Sequence, residues 1–192
     1  MTSLKLNLGC GSRLLDGYIN VDKFGCPDLR WDLEAFPWPW PDDSTSEVIL
    51  CHVLEHLGAT TETYLKVIQE LYRVCQDGAW VRITVPHPRH DHFLADPTHV
   101  RVITPLGLSL FSQKLNLAWM SEGLANSPLG LNHDVDFELV ETTYVPSDLW
   151  YQIRPEAQPS TEILLADGAL YNNIIQEIRM VLRAVKSSRH SG

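Results

Sequence analysis

The chain has 192 residues, 44% of them hydrophobic, and a formal net charge of −9. This length and apolar content are typical of one globular domain with a sizeable core. The negative charge argues against a general nucleic-acid binder, which needs a cationic surface, and no apolar run is long enough to cross a membrane.

The cysteines and the first residues bear on the compartment. The four cysteines are scattered along the chain without a C-x-x-C pair. The N-terminal residues lack the basic region and the long apolar stretch of a secretion signal. These features predict free thiols in a reducing compartment, and we therefore expect a cytoplasmic protein.

The first two predicted strands end in a glycine turn and in an acid. Strand 4–8 runs into Gly9 and Gly11, and strand 18–22 ends on Asp22. Glycines after a strand let a ligand approach the backbone closely. A carboxylate at the end of the next strand can accept hydrogen bonds from a ribose diol. The pattern predicts a pocket for a nucleoside-bearing cofactor.

The spacing within this segment argues against a dinucleotide site. Leu14 stands where the third glycine of G-x-G-x-x-G would be, and Asp22 follows Gly11 by 11 residues instead of about 20. The six residues 12–17 are too few for a crossover helix, since such a connection takes about 10–12 residues or more. A Gly-Lys-Ser/Thr phosphate loop is also missing from the sequence.

Strand and helix signals continue to alternate up to residue 85. We predict further strands at 28–32, 47–52 and 79–85. Between the last two, residues 60–75 place apolar side chains at helical spacing after a threonine that can cap the helix. This alternation predicts a parallel sheet covered by helices.

The second half of the chain is less regular. Thr104-Pro105 begins a predicted helix that extends to about Gln113, because proline is tolerated in the first turn. We interpret 116–133 as a long loop with short helical pieces and 147–160 as a loop. The alternating segment 137–145 predicts a strand.

The C-terminal segment fits two patterns. Apolar residues between 174 and 185 are spaced for either a helix or a strand. We favour a helix at 170–175 followed by a strand at 177–186, and we expect residues 187–192 to be frayed.

The whole set of motifs is similar to class I S-adenosylmethionine-dependent methyltransferases. More narrowly, it resembles a small group of predicted methyltransferases that begin L-N-L-G-C-G and G-Y-I-N-V-D, and the likeness runs from about Leu4 to Pro105. The remaining matching segments are Asp32-Leu33, Pro39-Trp40-Pro41-Asp42 and Leu54-Glu55-His56.

The resemblance implies an α/β, Rossmann-like fold. We expect a mostly parallel seven-stranded sheet with helices on both faces, a shortened first crossover and a final antiparallel strand. Residues 1–192 would form a single methyltransferase domain, within which 86–135 would be an insertion or lid on the acceptor side.

The same resemblance implies S-adenosyl-L-methionine as the cofactor. Gly9 and Gly11 would pass beneath its methionine part, Asp22 would bind the ribose hydroxyls, and Asp32 would accept from the adenine amino group. The predicted cofactor-binding residues are Asn7, Gly9, Cys10, Gly11, Asp22, Asp32, Leu33 and His52.

Three other features near this pocket are open to more than one interpretation. Arg13 can pair with the methionine carboxylate or lie on the surface. The aromatic side chains of Phe36, Trp38 and Trp40 can cover the adenine or pack on the core of the protein. Asn7 stands where many methyltransferases have an acid, which is a departure from the family pattern.

Six of the eight histidines follow the predicted fourth and fifth strands, so we expect them at the rim of the same pocket. They are His52, His56, His87, His90, His92 and His99. General acid–base catalysis is one possible role, and its candidate catalytic residues are His52, His87, His90 and His92. Metal binding would use His87, His90, Asp91, His92 and His99, but their spacing matches no standard signature, and we predict no metal site. A turn at 96–99 is the structural alternative for His99.

The predicted function is methyl transfer to an oxygen or nitrogen of a small or medium-sized acceptor. One alternative is a non-catalytic module that binds S-adenosylmethionine. The other is a metal-dependent hydrolase or lyase that uses the His and Asp residues of 87–99. The sequence names neither the acceptor nor the oligomeric state.

Overall fold

A computed structural model of the protein describes residues 3–186. The centre is a seven-stranded sheet with the strand order β3-β2-β1-β4-β5-β7-β6. The strands are β1 (Leu4–Leu8), β2 (Ile19–Asp22), β3 (Leu29–Arg30), β4 (Thr45–Cys51), β5 (Cys75–Pro86), β6 (Phe137–Pro146) and β7 (Ile175–Ala184).

Strand direction divides the sheet into two parts. β1 to β5 pair in parallel, whereas β7 runs antiparallel between β5 and β6. Strand order reverses between β1 and β4, which lie side by side at the centre. The predicted Rossmann-like sheet with a final antiparallel strand is confirmed, and that strand begins at Ile175, two residues before the predicted start.

Seven α-helices accompany the strands within residues 3–186. They are α1 (Thr61–Val74), α2 (Asp91–Leu94), α3 (Pro105–Ser109), α4 (Gln113–Ser121), α5 (Leu129–Asn132), α6 (Asp148–Ile153) and α7 (Thr161–Leu170). A short 3-10 turn, Leu54–His56, follows β4. None of the helices in this range is both long and apolar enough to span a membrane.

Helix α1 covers the central strands, as the sequence predicts. The Thr60 hydroxyl accepts a hydrogen bond from the Thr63 backbone and so caps the first turn. Tyr64, Val67, Ile68, Leu71 and Val74 recur at helical spacing and are buried. Burial of this face against the sheet is what stabilises the helix.

The connection between β1 and β2 contains no helix, which confirms the shortened crossover. Two buried asparagines organise it. The Asn7 side-chain amide donates to the Asn20 side-chain carbonyl at 2.8 Å and to the Arg13 backbone carbonyl at 2.8 Å. The Asn20 side chain also accepts from the Leu15 backbone amide. These side chains supply hydrogen-bond partners for a turn that has no regular ladder of its own.

Two predictions for residues 104–133 need correction. The predicted helix 104–113 ends at Ser109, and a separate helix, α4, begins within the next turn. The Ser112 hydroxyl accepts from the Leu115 backbone and starts α4, which occupies part of the predicted loop 116–133. A serine directly before a helical run was the signal for this boundary.

The C-terminal third also differs from the prediction. The predicted loop 147–160 contains α6, capped by Ser147 and anchored by the buried Trp150. The predicted helix 170–175 is wrong, because the helical segment is α7, which starts after the Ser160 cap and ends at Leu170. Tyr171 is already extended and leads the chain toward β7. The predicted fraying of 187–192 lies outside the described residues.

The tryptophans after β3 pack on the protein's own core. Trp38 and Trp40 are buried and meet edge to face, with ring centroids 5.9 Å apart. Phe36 packs against the same core while partly exposed. Arg73, near the end of α1, donates to the backbone carbonyls of both tryptophans and pairs with Glu70. The guanidinium therefore holds the 38–40 loop against the helix.

We expect Arg73→Lys to lower the free energy of unfolding by about 1–3 kcal/mol. The single ammonium of lysine cannot bond to the Trp38 and Trp40 carbonyls and to Glu70 at the same time. Urea unfolding of wild type and variant measures the difference. Arg82→Lys is the matched control, since Arg82 pairs with Glu47 on the exposed side of the sheet. Its change should stay within about 0.5 kcal/mol, and equal losses in the two variants would contradict the role of Arg73.

Candidate functional site

An open cleft lies at the carboxyl ends of β1 to β4, where the strand order reverses. Ligands of open α/β sheets bind at this position. The cleft encloses an empty volume of about 630 Å³. Its lining residues are Gly9, Asp22, Lys23, Phe24, Trp31, Asp32, Leu33, Glu34, His52, Val53, His56 and Leu57.

The glycine turn after β1 forms one wall of the cleft. Gly9 adopts a φ of +65°, and a Cβ added there would lie 2.4 Å from Cγ2 of Val53, another lining residue. Both the left-handed backbone and the contact with Val53 therefore require glycine. The sequence predicted that glycine is needed here to let a ligand approach the backbone. In the structure, the Val53 side chain lies where the Cβ of a larger residue would stand.

Asp22 is fixed at the end of β2 by two backbone amides. Gly11 donates to Oδ2 and Phe24 donates to Oδ1, each at 2.8 Å. A carboxylate has about four acceptor positions, so two of them remain available. Asp22 lines the cleft, and its orientation is set before any ligand arrives.

Apolar and aromatic side chains form the opposite side. Phe24 is 70% exposed, and Trp31 lines the cleft while its indole N–H donates to the Ala35 carbonyl. The Asp32 carboxylate beside them accepts from the Glu34 backbone and lies 4.0 Å from the Lys23 ammonium. Sequence reasoning missed Phe24 and Trp31, because neither belongs to a regular hydrophobic pattern.

His52 follows β4 with a left-handed φ of +55°. Its Nε2 lies 3.1 Å from Glu177 Oε1, and its Nδ1 lies 3.4 Å from Glu55 Oε1. The Glu55 carboxylate raises the pKa of His52, and this effect exceeds the lowering caused by burial. Glu177 belongs to β7 and was missed, because an acid on an alternating strand resembles any solvent-facing residue.

Two predicted cofactor-binding residues lie behind the cleft wall instead of lining it. Asn7 is 4% exposed and is engaged with Asn20 and the crossover backbone. Cys10 is also buried, and its burial raises the pKa of the thiol. Gly11 acts through its hydrogen bond to Asp22. Of the other predicted residues, Gly9, Asp22, Asp32, Leu33 and His52 line the cleft together.

The six histidines do not form one rim. His52 and His56 line the cleft, but His87, His90 and His92 are absent from its wall. Nδ1 of His87 accepts from the Arg89 backbone, and Nδ1 of His90 accepts from the His92 backbone and caps α2. Burial lowers the pKa of both His87 and His90. These histidines stabilise the turn after β5.

The structure also fails to support the predicted metal alternative. Within residues 3–186, His87, His90, Asp91 and His92 do not converge as a group that could hold an ion. His90 and His92 stack with ring centroids 4.3 Å apart, and no carboxylate joins them in such a group. The metal-dependent hydrolase or lyase built on 87–99 therefore lacks its ligand set.

No family model matches the chain, and no curated protein matches it by sequence. Solved structures do match. A SAM-dependent methyltransferase from Archaeoglobus fulgidus shares 16% identity over 94% of this chain and 86% of its own, with a TM-score of 0.62. The fold is that of the class I methyltransferases.

Two further methyltransferase structures resemble the chain, each with 12% identity and a TM-score of 0.53. One, from Methanosarcina mazei, is matched over 97% of this chain and 95% of its own. The other is a 1,6-didemethyltoxoflavin-N1-methyltransferase from Burkholderia thailandensis with bound 1,6-didemethyltoxoflavin and S-adenosylhomocysteine, matched over 96% and 72%. At these identities the methyltransferase likeness is one of fold.

We expect Gly9→Ala to destabilise the protein more than Gly123→Ala. Both glycines have left-handed backbones, with φ of +65° and +71°, but a Cβ at Gly123 would meet nothing within 4 Å. The shared backbone strain costs about 1–2 kcal/mol, and only Gly9→Ala adds the collision with Val53. Chemical unfolding of both variants checks this expectation. Losses of the same size would mean that Val53 moves away without cost.

Proposed function

We propose that this protein transfers a methyl group from S-adenosylmethionine to an oxygen or nitrogen of a small or medium-sized acceptor. The observation that carries the proposal is the Asp22 carboxylate. It stands at the switch point of a methyltransferase-type sheet. The amides of Gly11 and Phe24 donate to it, and two of its acceptor positions remain available for a ligand. A ribose diol presents two donors to such a carboxylate.

The other cleft residues fit the remaining parts of this cofactor. Phe24 and Trp31 offer apolar ring surface for the adenine, and Asp32 offers an acceptor for its amino group. The turn of Gly9 and Gly11 leaves backbone accessible for the methionine part. Arg13 is exposed and its guanidinium donates to Cys51 Sγ at 3.6 Å, so we propose it as the partner of the methionine carboxylate.

The acceptor side is formed by the segment 86–135 in this proposal. That segment reaches the cleft at two points: the Thr98 hydroxyl lies 3.0 Å from His56 Nδ1, and the amides of Val100 and Arg101 donate to the Glu55 carbonyl. The Burkholderia enzyme binds its acceptor together with S-adenosylhomocysteine on the same fold. This supports an acceptor of similar size here.

The cofactor would supply a methyl group that is already activated on a sulfonium. The residues of the protein would then hold the acceptor atom in line with that methyl group and prevent other orientations of the acceptor. Of the candidate catalytic histidines, we propose His52 as the acceptor contact, because it alone of the four lines the cleft. His87, His90 and His92 have no role in the proposed reaction.

We expect Asp22→Asn to weaken S-adenosylmethionine binding by about 10- to 100-fold. An amide keeps one acceptor oxygen but loses the charge and the second acceptor, which is typically worth 1.5–3 kcal/mol. Isothermal titration with S-adenosylmethionine measures the change. Asp148→Asn, in the first turn of α6 and remote from the cleft, should bind like wild type.

The same titration tests the proposed function itself. Wild type should bind S-adenosylmethionine and ignore NAD, and failure to bind the former would overturn the proposal. A panel of hydroxyl- and amine-bearing acceptors with radiolabelled cofactor then tests transfer. Binding without transfer to any member of the panel would favour the non-catalytic binding module.

With an acceptor from that panel, we expect His52→Asn to lower kcat at least tenfold and to leave the S-adenosylmethionine Kd within about threefold. Asparagine tolerates the left-handed backbone of position 52, so the fold should be retained. His92→Asn removes an exposed histidine outside the cleft and should keep the wild-type kcat. An unchanged kcat for His52→Asn would exclude the proposed contact.

A further inference from the structure

Glu55, His56 and His99 form a cluster at the rim of the cleft. One carboxylate oxygen of Glu55 and one ring nitrogen of each histidine all lie within 4.8 Å of one another. Glu55 and His56 belong to the 3-10 turn after β4, and His99 comes from the segment after α2. The two segments are joined by hydrogen bonds from the Val100 and Arg101 amides to the Glu55 carbonyl.

The Glu55 carboxylate is buried without a hydrogen bond to either of its oxygens. The residue has 0% exposure, and neither side-chain oxygen accepts a hydrogen bond from any residue in the range 3–186. The His52 ring approaches it, with Nδ1 3.4 Å from Oε1, but the two atoms do not form a hydrogen bond. A buried carboxylate in this state is costly unless a cation compensates it.

Hydrogen bonds hold Nδ1 of both histidine rings. Thr98 donates its single hydroxyl proton to Asp96 at 2.6 Å, so at His56 it must accept from Nδ1–H at 3.0 Å. Nδ1 of His99 lies 2.8 Å from the Phe93 carbonyl, which can only accept. In the neutral form of each ring, these contacts leave the lone pair on Nε2. Metal-binding histidines are held in this manner, with the second nitrogen bonded to a carbonyl or another acceptor.

We infer that Glu55, His56 and His99 bind a first-row divalent cation at the edge of the cleft. Two imidazoles and one carboxylate suit Zn²⁺, Co²⁺ or Fe²⁺ better than Mg²⁺ or Ca²⁺, which prefer all-oxygen sites. Three protein ligands also leave a coordination position for a further molecule. Because His56 lines the cleft, the site adjoins the space assigned to the acceptor.

This site differs from the metal alternative considered from the sequence. That alternative joined His99 to His87, His90, Asp91 and His92, which follow the same strand. The structure instead pairs His99 with His56, at a ring-centroid distance of 4.6 Å, and adds a carboxylate from the turn after β4. The inference depends on these three residues alone and stands whether or not the protein transfers methyl groups.

Titration of the metal-free, full-length protein with ZnCl₂ tests the site, with Co²⁺ absorption as a second measure of nitrogen and oxygen ligation. We expect one ion per chain for wild type, and no binding of Mg²⁺ at the same concentrations. Glu55→Gln and His99→Asn should each weaken Zn²⁺ binding at least tenfold. Circular dichroism and thermal unfolding establish whether each variant folds. If the Glu55→Gln variant does not fold, the Zn²⁺ binding of the His99→Asn variant tests the site.

Two further variants are the controls. His92→Asn, in the same segment but outside the cluster, should bind Zn²⁺ like wild type. His52→Asn should retain one ion per chain, because His52 is not one of the three inferred ligands. Absence of Zn²⁺ binding to wild type, or equal binding by wild type and the His99→Asn variant, would overturn the inference.

Discussion

The hydrogen bond between the buried side chains of Asn7 and Asn20 is the constraint on which the cleft depends. It joins β1 to β2 and, through Arg13 and Leu15, fixes the turn between them. The strands can then follow each other without a helix. This brings Gly11 and Asp22 within hydrogen-bond distance, and the carboxylate is oriented as a direct result. Asn7 therefore contributes to the site without touching it.

Much of the fold was predictable because its signals are local. The apolar strand before Gly9, the acid that ends β2 and the capped amphipathic α1 each depend on neighbouring residues, and all were placed within a few positions. The errors lie where helices begin after serine caps, at Ser112, Ser147 and Ser160. In such segments the buried Trp150 and its neighbours decide the structure, and tertiary burial leaves little trace in periodicity.

The site was predictable only in part, for a related reason. Gly9, Asp22, Asp32 and His52 each lie at the end of a strand or within two residues after it. The strand ends of a parallel sheet meet at one edge. The histidines after β5 follow the same rule in sequence, yet a turn closed by hydrogen bonds to their own Nδ1 atoms keeps them from the cleft. Glu177 and the pairing of His56 with His99 depend on contacts between distant residues, which one sequence does not reveal.

The contact between His52 and Glu177 joins residues 125 positions apart and depends on β7, the last strand of the sheet. During synthesis the chain can form β1 to β5 and the glycine turn long before β7 emerges. The glycine turn and Asp22 lie within the first 22 residues, whereas the environment of His52 is complete only when the final strand pairs with β5 and β6. A chain truncated before β7 would therefore keep every residue of the glycine turn but lack one of the two carboxylates that flank His52.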